Sequence, residues 1–330
     1  MSPPLRPLAP FQLLSATQVT GALKRRRVGT ALAALCLCVA PAACQSKARG
    51  GVREFDGARA LGYVERQLAF GPRVPNTVGH RAAGDWLVAE LRARADTVIV
   101  QDFEQHTRRG ERLALRNVFA RFRPDAVERV LLLAHWDTRP RADRSPNLAA
   151  QRMPVPGAND GASGVAILLG VADALKARAP EIGVDLLLVD GEDYGDFADT
   201  SETLIGSRYF AAHRPPGYAP LFAVLFDMVG DRDLQIYHEG TSLAEAPEVV
   251  ERVWRTADQL GYGGHFIPGG RHTLTDDHVP LQQVGIRAVV VIDFNYGPDN
   301  AYWHTTDDTI DKVSGASLQI VGDVAVALVR

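Results

Sequence analysis

The chain has 330 residues, of which 46% are hydrophobic and 23% charged, which is typical of a folded globular protein and excludes a largely disordered one. Its formal net charge is -3, but residues 1–43 contain five basic residues and no acid. Once these five are set aside from the 36 basic residues, 31 remain against 39 acidic ones. This acidic balance argues against a nucleic-acid-binding surface.

The N-terminal segment has the pattern of an export signal. Its basic, acid-free start runs into the apolar stretch "VGTALAALCLCVAPAAC" and then into the polar "QSKARGG". Cys44 follows "PAA" and resembles the lipidated cysteine of a bacterial lipobox, with Pro41 where leucine is usual. We predict an export signal over residues 1–43, a flexible tether over 44–54, and a protein of the cell envelope or periplasm that is lipid-anchored at Cys44. Plain cleavage after Ala43 and an uncleaved anchor remain as alternatives.

All three cysteines of the chain lie in this segment, at positions 36, 38 and 44. The rest of the chain therefore has no disulfide framework, redox dithiol or cysteine metal site.

From residue 55 onward, helical and strand patterns alternate along the chain. Helical spacing over 56–70 and 80–95 is followed by strand-like runs at 97–103, 117–122 and 129–137. The pattern then continues as helix 162–178, strand 184–190, helix 204–213, strand 221–228, helix 245–260 with a loop after it, strand 286–294, and a last helix from about Ser314. This order predicts a single α/β domain over 55–330, with a mostly parallel central sheet and helices on both faces.

Polar residues follow several of the predicted strands, where open α/β sheets place their sites. They are His135, Asp137, Glu192, Asp193 and Asp227, and Asp160 opens a predicted helix. Each of them alone is explained equally well as a helix cap, a solvated turn or a core histidine. Together they predict a cluster at one edge of one sheet.

Carboxylates packed together repel one another, so such a cluster needs a cation to remain ionised. Histidine and carboxylate ligands without cysteine favour zinc, whereas magnesium favours oxygen ligands alone. In "DNAYWHTTDD" we interpret His304 as an imidazole ligand that a loop brings in, with Thr305, Thr306, Asp307 and Asp308 available for supporting hydrogen bonds.

Several motifs occur in the order seen in the zinc-dependent M28 peptidase superfamily. They are "AHWDTRP", "GANDGASGVAILLGVADAL", "LLLVDGEDYG", "LIGSRYFA", "LFDMVGD", "TDDHVPLQQVGI" and "YWHTTDD". Within the superfamily the chain most resembles glutaminyl-peptide cyclotransferases, especially in "DDHVPL" and "WHTTDD", and the resemblance spans residues 55–330.

The cyclotransferase resemblance implies one zinc ion held by Asp160, Asp193 and His304. The same resemblance implies that Glu192 is the general acid/base, that Asp227 and Asp277 have catalytic roles, and that Trp303 lines the pocket. Two plainer readings remain, in which Trp303 is core packing and Asp276 or Asp277 caps a short helix near Val279. The sequence departs from the family at Asp193, where glutamate is common.

Aminopeptidases of the superfamily hold two metals. In that arrangement Asp160 bridges, His135 and Asp227 complete one site, and Asp193 and His304 complete the other. The expected function is zinc-dependent cyclisation of N-terminal glutamine, with peptide or protein N-termini as substrates. The alternatives are an M28 aminopeptidase with two zinc ions and, from another class, a non-catalytic envelope binding protein.

Overall fold

The computed structural model describes residues 53–197 and 200–330. The predicted export signal, Cys44 and all but the end of the predicted tether lie outside these ranges. Gly50–Arg330 forms one compact unit. No helix within the described ranges is both long enough and apolar enough to cross a membrane.

The elements of the described residues alternate between helix and strand. The helices are α1 Gly57–Leu68, α2 Val78–Arg92, α3 Ala162–Ala177, α4 Ile205–His213, α5 Gly240–Glu245, α6 Pro247–Gln259, α7 His278–Gln283 and α8 Gly315–Leu328. The strands are β1 Thr97–His106, β2 Arg112–Phe122, β3 Arg129–His135, β4 Gly183–Val189, β5 Phe222–Asp227, β6 Ile236–Glu239, β7 Phe266–His272 and β8 Ala288–Ile292.

Six strands form the central sheet in the order β1-β2-β4-β3-β5-β8. The pairs β4/β3, β3/β5 and β5/β8 are parallel, and β1/β2 and β2/β4 are antiparallel. The inner strands β3, β4 and β5 are buried at every residue, as expected of strands covered on both faces. The predicted α/β fold with a mostly parallel sheet is confirmed.

Alternate residues of the inner strands pack against opposite helical layers. In β3, Val130 and Leu132 belong to one core, which includes side chains of α1, α2, α3, α6 and α8. Leu131 and Leu133 belong to the other core, under α4 and α7. This two-residue alternation follows from strand geometry and leaves the carboxyl edge of the sheet open between the two layers.

Two details differ from the sequence-based expectation. The helix predicted over 245–260 is α6, and the short helix α5 before it was not predicted. Pro247 separates the two helices, because it occupies the first turn of α6 and cannot continue the preceding helix. The loop predicted after it contains β7, which pairs in parallel with β6 through two register shifts. The run "FIPGGRH" is rich in proline and glycine, so its pattern is typical of a loop.

The start of the described domain is fixed against the ends of two helices. The carboxylate of Glu54 pairs with Arg178, just after α3, and with the C-terminal Arg330. The ring of Phe55 fills a notch at Gly170 and Gly322, where an added Cβ would approach it to 2.3 and 2.2 Å. The chain therefore enters the domain at the end of α3 that is remote from the sheet's carboxyl edge.

Candidate active site

The side chains predicted to form the site come together at the carboxyl edge of the central sheet. His135 is the last residue of β3, Asp227 is the last residue of β5, and Asp193 follows β4. Asp160 comes just before α3, and His304 lies on the loop between β8 and α8. All five side chains are buried.

Asp160 belongs to two groups of candidate ligands. One group adds His135 and Asp227, the other adds Asp193 and His304, and in each group the ligand atoms lie within 4.8 Å of one another. The Nε2 atom of His135 is 3.1 Å from an oxygen of Asp160 and 3.1 Å from one of Asp227. The Nε2 atom of His304 is 3.3 Å from Asp193 and 3.6 Å from Asp160. Both predicted ligand sets are therefore assembled.

The donor atoms suit a zinc ion. Oδ2 of Asp193 is buried and has no hydrogen-bond partner within the described part of the chain. Burying a carboxylate oxygen of this kind destabilises the fold unless a cation or a hydrogen-bond donor contacts it. A combination of imidazole and carboxylate donors around one point is typical of catalytic zinc sites. Space is kept there by Gly161, since a Cβ at this position would lie 2.5 Å from Nε2 of His135.

Arg139 holds the position of Asp193, a role that was not predicted from the sequence. Its buried guanidinium donates to Oδ1 of Asp193 at 2.7 Å and to the carbonyl of Gly195 at 2.9 Å. It also donates twice to Asp143, at 2.9 and 2.7 Å. Nε2 of His304 also lies 3.3 Å from Oδ1 of Asp193, whereas Oδ2 has no hydrogen-bond partner among the described residues. The only signal in the sequence was an arginine inside "HWDTRP", which does not separate a buried from an exposed side chain.

Two more buried carboxylates hold the backbone that presents the ligands. Asp137 accepts the backbone N–H groups of residues 192 and 193, at 3.0 and 3.2 Å. Asp308 accepts those of residues 159 and 160, at 2.8 and 3.2 Å. The supporting bonds expected of residues after His304 are thus made by Asp308. Such contacts around a metal site fix the orientation of its ligands.

Glu192 is buried beside the candidate ligands, with Oε2 3.8 Å from Nδ1 of His135. Burial raises the pKa of Glu192 well above its usual range. The carboxylates of Asp193, Asp276 and Asp277 raise it further, whereas His135 acts in the opposite direction. A raised pKa helps a carboxyl to donate a proton as well as accept one, which general acid/base catalysis requires.

Asp277 and its neighbours are also protonatable. Burial, with help from nearby carboxylates, raises the pKa of Asp276 to about 7, of Asp277 to about 8 and of Asp227 to about 6. The hydroxyl of Ser207 donates to one oxygen of Asp277, and the other oxygen has no partner among the described residues. Asp277 directly precedes α7, but its side chain makes no capping bond, so the alternative is wrong for Asp277. Oδ1 of Asp276 accepts the N–H of Asp277 at 2.6 Å, so Asp276 is the residue whose side chain binds the backbone there.

A cavity of about 200 Å³ opens over Glu192 and the candidate ligands. Trp303 lines it, stacks on His304 with ring centroids 3.9 Å apart, and meets Phe294 at 4.9 Å. The apolar lining residues are Phe197, Met228, Leu274, Ile292, Phe294 and Trp303. Phe197 and Phe294 were not predicted from the sequence, because single aromatic residues in loops look like ordinary packing residues.

Comparisons with known proteins agree with this architecture. Residues 117–329 match the family described as Peptidase family M28. A glutaminyl cyclase from Porphyromonas gingivalis superposes with a TM-score of 0.80 at 38% identity, covering 83% of this chain and 98% of that one. A Zn-dependent exopeptidase from Parabacteroides distasonis ATCC 8503 gives 0.81 at 36% identity, covering 84% and 99%.

A more distant relative is Aminopeptidase YwaD of Bacillus subtilis (strain 168), with 23% identity over 299 residues. The aligned region covers 84% of this chain and 57% of that protein, so this chain spans less than two thirds of the aminopeptidase. Both cyclase and exopeptidase activities are thus found among proteins that share this fold.

Proposed function

The chain belongs to peptidase family M28, and from this premise we propose that it is a zinc-dependent glutaminyl-peptide cyclotransferase. It converts the N-terminal glutamine of a peptide or protein to pyroglutamate and releases ammonia. The 38% identity to a bacterial glutaminyl cyclase over nearly the whole of that protein supports the assignment.

The reaction needs only groups that the substrate already carries. An N-terminal glutamine has a free α-amine and a γ-amide carbonyl carbon that can meet in a five-membered ring. A bond forms between the amine nitrogen and this carbonyl carbon, Cδ, and the bond from Cδ to its amide nitrogen breaks. Because the nucleophile is intramolecular, the site has to orient the side chain and exclude water rather than activate it.

Asp160, Asp193 and His304 would hold the zinc ion, with Arg139 fixing Asp193 through its Oδ1 atom. Zinc bound there supplies a Lewis acid for the γ-carbonyl oxygen. Glu192 takes a proton from the α-amine as the new bond forms and returns it to the amide nitrogen, which leaves as ammonia. The unpartnered oxygen of Asp277 offers an acceptor for the amine.

The observation that carries this proposal is the position of Glu192 beneath a small pocket with apolar walls. Its raised pKa lets one carboxyl both accept and donate a proton, as transfer between two nitrogens of one substrate requires. Trp303 and Phe294 wall the same pocket and reduce the access of water.

A second candidate function is removal of the N-terminal residue by hydrolysis. The group of His135, Asp160 and Asp227 favours it, because these residues offer a second metal position beside the first. A two-metal site can activate a water molecule and hold the substrate together.

Incubation with glutamine-initiated and leucine-initiated peptides separates the two functions. We expect the glutamine peptide to lose the mass of one ammonia and to keep all its peptide bonds, and the leucine peptide to stay intact. Mass spectrometry measures both. A cleaved leucine peptide beside an unchanged glutamine peptide would show that the cyclase proposal is wrong.

We also propose that the protein is exported and anchored through Cys44. The basic start, the apolar stretch and the position of Cys44 after "PAA" support this location. Fractionation of cells that express the wild type and Cys44→Ala tests it: the wild type should be in the membrane fraction and the variant should be released from it. Recovery of both proteins from the cytoplasm contradicts the proposal.

A further inference from the structure

The segment between β3 and Asp160 carries an unusual concentration of positive charge. Residues 138–157, which we call the arginine loop, contain four arginines, at 139, 141, 144 and 152, and a single acid, Asp143. Prolines at 140, 146, 154 and 156 restrict its backbone. The loop is thus a rigid basic segment in a domain that is otherwise acidic.

The arginine loop is fastened to the rim of the active site. The N–H of Arg144 donates to the carbonyl of His304 at 3.2 Å, and the N–H of Thr306 donates to the hydroxyl of Ser145 at 3.4 Å. Within the loop, the N–H of Ala142 donates to the carbonyl of Met153 at 2.7 Å, which joins its two limbs. Its side chains are therefore held beside the residue proposed to bind zinc.

Arg144 places a positive charge at the mouth of the pocket. Its guanidinium carbon lies 4.8 Å from the ring centroid of Trp303, which is a cation–π distance. Trp303 itself lines the pocket. When the first residue of a peptide lies in the pocket, the residues that follow it must pass this rim.

Three charges of the loop are available to such a peptide. The guanidinium of Arg139 is buried and pairs with Asp143 and with Asp193, so its charge is not available to a peptide. Arg141, Arg144 and Arg152 are exposed, and none of them has an ion-pair partner within residues 53–197 and 200–330. The loop therefore presents uncompensated positive charge next to the entrance.

From these contacts we propose that the arginine loop binds acidic residues that follow the N-terminal residue of the substrate, so that the enzyme favours peptides with aspartate or glutamate near the start. This inference rests on the proposed function. In an extended peptide, the three residues after the first reach about 10 Å from the pocket, which is within the span of a loop that begins at its rim. An acidic peptide is favoured over an anionic lipid surface because Arg144 stacks on a pocket residue.

The test compares three amidated peptides of equal length that begin with Gln-Ala and continue with two aspartates, two asparagines or two lysines. We expect kcat/KM to follow the order acidic, neutral, basic, with roughly 3- to 10-fold between the first two at low salt, since each exposed ion pair contributes modestly. At about 0.5 M salt the ratio should approach one, because the charges are then screened.

Charge-removing variants identify the residues responsible. In Arg141→Gln/Arg144→Gln/Arg152→Gln, the ratio of kcat/KM between the acidic and neutral peptides should fall close to one. The ratio is the readout because it cancels any general loss of activity. Arg92→Gln is the matched control: Arg92 is exposed on α2 and has no ion-pair partner in the described part of the chain. This control should keep the wild-type ratio.

The same series with leucine in place of glutamine separates the two proposals. If only leucine peptides react, the proposed function is wrong, and their acidic-to-neutral ratio then tests the arginine loop. Equal kcat/KM for the acidic and neutral peptides of whichever series reacts overturns the inference. It is also overturned if the triple variant loses binding to phosphatidylglycerol vesicles but keeps the peptide ratio, because the arginines would then serve a membrane.

Discussion

At the scale of single residues, Asp193 shows how a neighbouring side chain supports a candidate metal ligand that is shorter than the family's usual glutamate. The resemblance to cyclotransferases leads one to expect glutamate here, one methylene longer. The guanidinium of Arg139 holds one oxygen of Asp193 at 2.7 Å, and the other oxygen is buried, in a residue that is only 2% exposed. The fixed orientation of the carboxylate offsets its shorter reach, because a ligand held by an outer partner loses less freedom on binding.

Removal of the proton-transfer group should separate chemistry from metal binding. Glu192→Gln keeps the shape of the side chain and removes its acid/base function, so we expect kcat to fall by roughly 10²- to 10⁴-fold. Zinc content should stay at the wild-type value, since Glu192 is in neither group of ligands. Steady-state kinetics and metal analysis measure the two effects. A variant with unchanged kcat would show that another group transfers the proton.

Zinc content should depend on His304 and not on His135. His304→Ala removes one of three ligands of the proposed zinc site, and we expect the variant to lose zinc during dialysis and activity with it. His135→Ala should retain about one zinc per chain if a single metal serves the reaction. Chelation of the wild type should abolish activity, and added zinc should restore it. Two zinc ions in active wild type, one of them lost in His135→Ala, would favour the aminopeptidase.

At the scale of elements, Glu239 connects the small β6/β7 sheet to the loop that carries Asp277. Its carboxylate accepts the N–H groups of Thr241, Ser242 and Leu274 at 2.8, 2.7 and 2.8 Å. The ring of His278 lies 3.3 Å away. Against the effect of burial, the hydrogen bonds from His278 and from these backbone groups hold the pKa of Glu239 well below its usual range.

This lowered pKa predicts the sign of a pH effect. Folding favours the ionised form, so the stabilisation is complete above the unfolded-state pKa of about 4.3 and is lost as the pH falls below it. We expect Glu239→Gln to lower the free energy of unfolding by about 2–3 kcal/mol at neutral pH. Its difference from wild type should shrink in acid. Urea denaturation at several pH values measures this.

The exposed Glu251 provides the control for that experiment. Its side chain is 73% exposed and, among the described residues, forms an ion pair only with Arg255, so Glu251→Gln should change stability by less than about 0.5 kcal/mol at any pH. A pH-independent difference between Glu239→Gln and wild type would contradict the electrostatic explanation.

The elements that could be predicted from sequence are those whose own residues carry the signal. The buried strand "VDLLLVD" and the helix opened by Ser314 are examples, since hydrophobic runs and caps are local properties. β7 could not be predicted, because its pairing with β6 is a tertiary contact and its sequence contains proline and glycine. The cluster of candidate ligands could be predicted, because most of its residues follow the ends of predicted strands. The contact of Arg139 with Asp193 could not, because it depends on how two loops meet.

At the scale of the whole molecule, acidic and basic side chains occupy separate regions around the pocket. Acidic groups line the pocket, where the proposed zinc ion and substrate amine would meet them. Uncompensated arginines lie on the rim, where the rest of the proposed peptide substrate would pass. The two regions are adjacent because the arginine loop runs from the end of β3 to Asp160 and so connects two residues of the site.

The contacts of Glu54 and Phe55 have a consequence for the use of this protein as an immobilised catalyst. They fix the start of the domain near Arg178, and the 16 residues of α3 separate that point from Asp160 by about 24 Å. Protein coupled to a bead through a cysteine introduced at Arg53 should therefore keep its pocket open to the flowing liquid and retain most of its activity. Coupling through a cysteine at Leu148, a 76% exposed residue of the arginine loop, should obstruct the entrance and slow large substrates most. A packed column of each form, fed with a short and a long glutamine peptide, would show whether the orientation of the attached domain governs its throughput.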